Sequence, residues 1–85
     1  MNQLQKDYIK ARAAHETAMK EKKWELADEL AEPYVQAEMA LVNWMFEVVE
    51  QTRAMKKEDI EVLKKNWTHH DFNERIVDMA LRLAA

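Results

Sequence analysis

Three observations predict an all-α fold. The 85-residue chain has no glycine and one proline, so the glycine-containing turns of tight β-hairpins are absent. Its four commonest residues, Ala, Glu, Lys and Leu, are good helix formers, as are its six Met. Apolar residues recur at steps of three and four along nearly the whole chain, which places them on helix faces. The prediction is a small helical bundle: a long antiparallel hairpin over 2–21 and 24–53, kinked at Pro33, and two short helices over 57–67 and 69–84.

The first helix carries Leu4, Tyr8, Ala11, His15 or Ala14, and Ala18 on one face, with Gln5, Lys6, Arg12 and Glu16 opposite. Its alanines allow close approach of a second helix. Around KEKK, residues 20–23, the stripe changes phase. Either the chain breaks there, or one straight helix shows two faces. A short break is favoured, because Trp24 would otherwise project from the exposed flank. No Gly or Asn marks the stop.

The second stripe starts with Trp24, Ala27 and Ala31 and runs on through Tyr34, Leu41, Met45 and Val48. It keeps its phase across Pro33. A mid-helix proline deletes a hydrogen bond and crowds the carbonyl four residues earlier, at about 3 kcal/mol. The alternative, a new helix with Pro33 in its first turn, would make Glu32 a poor N-cap.

Residues 34–52 are the most informative segment. Their polar residues Gln36, Asn43, Glu47, Glu50 and Gln51 share one narrow sector. Apart from Glu38 and Thr52 the rest is apolar, an arc of roughly 220°, about twice the usual stripe. The segment has no Lys or Arg. Such a helix needs cover on two sides, either from the same chain or from another. Glu38 lies within the arc. Burying it unpaired is costly, so it should meet Arg12, Lys22 or His15, or reach water at an edge.

Residues 57–67 place Glu58 and Asp59 in the first turn of a helix and Lys64 and Lys65 in its last, matching the helix dipole. Ile60, Leu63 and Trp67 share a face. In 69–84 the main stripe is Phe72, Ile76, Met79, Ala80 and Leu83, widened by Val77 and Leu81. Between them, NWTHHDFNER reads as a helix junction. Thr68 caps, Asp71 three residues on completes a short capping box, and Trp67 staples to Phe72. His70 and Glu74, with His69, could face one ion. Zinc needs a completed set of three or four ligands, and no other spacing supplies one, so no metal site is expected.

A single domain over residues 1–85 is expected. A chain this short buries only about 60–65% of its unfolded surface, and small domains often gain stability by self-association. Without Cys there is no disulfide or thiolate metal site, and without Gly no phosphate-cradling loop. No apolar run approaches the roughly 20 residues of a membrane span. A soluble, cytoplasmic protein is expected, with no cofactor.

Two functional classes follow. The first is a non-enzymatic protein-interaction module, homodimeric or binding a larger protein through the apolar face of the central helix. Met adapts to irregular surfaces and Trp is a frequent hot-spot residue. Its expected contacts are Tyr34, Leu41, Trp44, Met45, Phe46 and Val49, with Trp44, Met45 and Phe46 as anchors if the arc is exposed. The alternative is a nucleic-acid regulator of helix–turn–helix type over 57–84, with Lys64, Lys65, Asn73, Arg75 and Arg82 contacting the ligand. The net charge of −3 disfavours it. No activated nucleophile or paired catalytic carboxylates appear, so catalysis is not expected.

Overall fold

The computed structural model describes residues 1–67 and 70–83, and their side chains except those of residues 66 and 70–73. The chain is all-α. Among the described residues four helices follow one another, α1 (Gln3–Lys20), α2 (Trp24–Thr52), α3 (Lys57–Asn66) and α4 (His70–Arg82), with no strand. By its internal packing the chain divides within α2 into two compact units, Met1–Leu41 and the part from Val42 on.

In the first unit α1 begins with a capping box. The Asn2 side chain accepts the Gln5 amide at 2.9 Å, and the Gln5 side chain accepts the Asn2 amide at 2.9 Å. Gln5 is fully buried, although the sequence pattern assigns it to the outer face. A buried amide is tolerated when its polar atoms are bonded. The box is readable as Asn and Gln three residues apart. Tyr8 and Ala18 are buried on the expected face. Leu4, Ala11 and His15 are half-buried and Ala14 is exposed, so His15 continues the stripe.

The break at residues 20–23 is a tight helix stop built without glycine. Lys22 takes the left-handed conformation, φ 58°. Its amide donates to the Met19 carbonyl at 3.1 Å, and the Lys23 amide donates to the Ala18 carbonyl at 2.9 Å. This is the Schellman pattern, which satisfies carbonyls that a helix end leaves free. Lys23 also opens α2, because its carbonyl accepts the Ala27 amide at 2.9 Å. Two helices are thus joined by three residues, and the chain turns back on itself.

Helix α2 continues through Pro33, with no new start there. Trp24 departs from the pattern read in the sequence. Ala27 is buried, but Trp24, about 60° further round the helix, is 56% exposed.

In the second unit Val42, Met45, Phe46 and Val49 of α2 are buried, as are Ile60 of α3 and Ile76, Val77 and Ala80 of α4. α2 ends like α1: Arg53 has φ 53° and the Ala54 amide donates to the Val49 carbonyl at 3.2 Å. α3 buries Ile60 and half-buries Leu63, and Trp67 just past its end is half-buried too, the predicted face. In α4 the buried face is rotated from the prediction. Val77 is in the core and Met79 is exposed. Val77 follows Ile76 directly, so the covered arc extends toward it and away from Met79. The predicted Thr68 cap and Trp67–Phe72 staple lie outside the described residues.

Candidate interaction surface

Of the six expected contact residues, Leu41, Met45, Phe46 and Val49 are buried by the chain itself. They fill the interior and offer no area to a partner. Tyr34 and Trp44 are half-buried. The condition for Met45 and Phe46 to act as anchors, an exposed arc, is not met at those positions.

The large apolar side chains of α2 that do face outward precede residue 41. Trp24, Val35 and Met39 are 56%, 52% and 49% exposed. With half-buried Ala31 they sit at steps of seven, four and four, within about 80° of arc on one flank of the helix. They span 16 residues, 24–39, or ~22 Å along the axis. Leu26 and Met19 add exposed apolar area near the hairpin turn. The sequence does carry this signal. Val35 and Met39 belong to the wide apolar arc, but periodicity alone does not tell which part of an arc the chain covers.

The charges that α2 itself places around this stripe have one sign, while Lys22 and Lys23 are exposed at the turn just before Trp24. Asp28 falls within it, between Trp24 and Val35, and Glu32 borders it. Asp28 is exposed and makes no ion pair with a described residue. Glu32 accepts a hydrogen bond from the Gln36 amide group at 3.3 Å. The whole of α2 contains seven acidic residues and no Lys or Arg.

Across the α1–α2 hairpin the inner face is aromatic and polar. The rings of Tyr8 and Tyr34 lie 5.7 Å apart, and those of His15 and Tyr34 5.3 Å apart. The Arg12 guanidinium stands 5.3 Å above the Tyr8 ring, an attractive cation–π distance. Burial pushes the Tyr8 phenol above its usual range, reinforced by its hydrogen bond to Tyr34. Glu38 is half-buried, and desolvation raises its carboxyl above the ordinary range. No described cation pairs with it. Of the two outcomes expected for Glu38, the edge position is the one adopted.

Of the residues of the nucleic-acid reading, Lys64 and Arg82 are engaged by acids. Lys64 is bonded to Glu50 and lies 5.6 Å over the Phe46 ring. Arg82 pairs with Asp78 at 2.9 Å. Lys65 and Arg75 are exposed, and the Asn73 side chain lies outside the described set. A groove of about 570 Å³ beside the α2–α3 link is lined by Glu50, Arg53, Met55, Lys57, Ile60, Glu61 and Lys64, with acids and bases interleaved. Among the described residues no group of three or more His, Asp or Glu is placed to hold a metal. His69 and the His70 side chain fall outside them.

Fold and surface together define a small all-α chain with an acid-bordered apolar stripe on its longest helix. No protein family model matches it, and comparison with curated proteins and with solved structures finds no similar one. No described helix is long and apolar enough to cross a membrane.

Proposed function

We propose that this protein is a non-enzymatic interaction module whose binding surface is the exposed stripe of α2, Trp24, Ala31, Val35 and Met39. One observation carries the reading: three large apolar side chains stand about half exposed on one flank of one helix. Scattered apolar residues are normal on a surface. A row of them at helical spacing is the form in which helices bind one another. Trp and Met suit such a surface, the first as a large anchor and the second as an adaptable filler.

The partner is a second copy or another protein. The test is light scattering of the full chain and of Val35→Glu over a concentration series, with both also used as bait. Circular dichroism must show Val35→Glu to be folded. Self-association, or capture of a protein, that is lost in Val35→Glu supports the reading. Identical behaviour of the two chains overturns it.

A further inference from the structure

The charges bordering the stripe select among its occupants. We infer that the stripe docks a basic amphipathic helix from another protein, one of about four turns with Lys or Arg beside its apolar face. The inference rests on the interaction reading above and names the partner's chemistry.

Asp28 carries the argument. It sits inside the apolar row and has no ion-pair partner among the described residues. A partner that covers Trp24 and Val35 removes water from its surroundings. A carboxylate in a drying interface is costly unless a cation meets it. The partner must therefore bring a base to that position. Glu32 borders the same row, and Glu25 and Glu29 are exposed on the adjoining surface, so further bases on one flank gain steering and register.

A second copy of α2 fails this requirement. It has no Lys or Arg, so stripe laid on stripe brings no cation to Asp28. In parallel Asp28 meets its own equivalent, and antiparallel it faces Val35, with Lys22 and Lys23 of the turn falling beyond Met39. An anionic membrane surface fails for the same reason, because interfacial helices hold lipid with a Lys- and Arg-rich polar face. The exposed row spans ~22 Å, which a partner helix of about 15 residues matches.

The test uses two fluorescein-labelled 16-residue helical peptides with the same Leu/Met stripe. One is flanked by Lys and Arg and the other by Glu. Anisotropy is titrated with the full chain, Val35→Glu and Asp28→Lys, each checked for fold by circular dichroism. The expected result is saturable binding of the basic peptide, roughly tenfold or more tighter than the acidic one. It should weaken about tenfold or more in each variant, as for loss of a central contact. Equal binding of both peptides, lost in Val35→Glu, overturns the charge selection and leaves the interaction reading standing. Self-association that needs Val35, with no peptide bound, does the same in favour of a second copy. Basic-peptide binding that survives Val35→Glu is general attraction to an acidic chain and overturns the docking site. No peptide binding overturns the basic-helix inference, and the comparison of the parent with Val35→Glu by light scattering and as bait then decides the interaction reading.

Discussion

The rings of Tyr8 and Tyr34 lie 5.7 Å apart at an interplanar angle of 42° and tie α1 to α2. Offset, tilted rings at this distance attract through their quadrupoles as well as by burial. Tyr8 is buried and Arg12 stacks above it, so it is the centre of the hairpin's inner face. Tyr8→Ala should cost about 3–5 kcal/mol, the usual loss for a large aromatic in a core. Tyr8→Phe should cost about 1 kcal/mol, the worth of its hydrogen bond. Urea unfolding of the three chains measures both.

The raised phenol of Tyr8 also gives an alkaline limit. In the folded chain it holds its proton to higher pH than in the unfolded chain, mainly because of burial. Its contribution is complete below the ordinary phenol range and is lost as pH rises above it. Stability measured above about pH 10 should fall more steeply in the parent than in Tyr8→Phe.

Glu38 acts in the same direction at lower pH. Desolvation holds its carboxyl above the ordinary range in the folded chain, so the protonated form favours folding. That contribution is present below the ordinary carboxylate range and is lost as pH rises through the raised value. Glu38→Gln should therefore raise the unfolding midpoint at pH 7, with the gain shrinking toward pH 4. An equal gain at both values would assign the effect to packing.

Two helix stops and one proline set local costs that substitution can remove. Lys22 holds φ 58° without being glycine, a conformation that crowds Cβ by roughly 1–2 kcal/mol. Lys22→Gly should stabilise by about 0.5–1 kcal/mol, since glycine's freedom in the unfolded chain offsets part of the gain. Pro33→Ala restores a backbone donor inside α2 and should stabilise by about 2 kcal/mol. In a chain of this size each 1 kcal/mol moves the melting temperature by about 4–8 °C, so differential scanning calorimetry resolves both.

Val35 and Met45 separate surface from core on one helix. Val35 is 52% exposed and Met45 is 1% exposed. Val35→Ala should leave stability within about 0.5 kcal/mol of the parent, whereas Met45→Ala should cost about 2–5 kcal/mol. A large loss in Val35→Ala would mean the stripe is already covered in solution, and light scattering would then show a dimer.

The sequence by itself determined the helices. Stripe phase carried α2 through Pro33, because backbone bonding and side-chain periodicity are properties of neighbours along the chain. It favoured a break before Trp24 without deciding it, and the shelter for Trp24 that favoured it is not found. It also determined that residues 34–52 have more apolar surface than one contact face uses. Tertiary structure decided how that surface is divided. Val42, Met45, Phe46 and Val49 went to the interior, while Val35 and Met39 stayed outside with Trp24. It likewise put Gln5 inside and Met79 outside. A residue's position on the wheel fixes its direction from its own axis. What lies in that direction depends on where other helices end, and no local pattern encodes that.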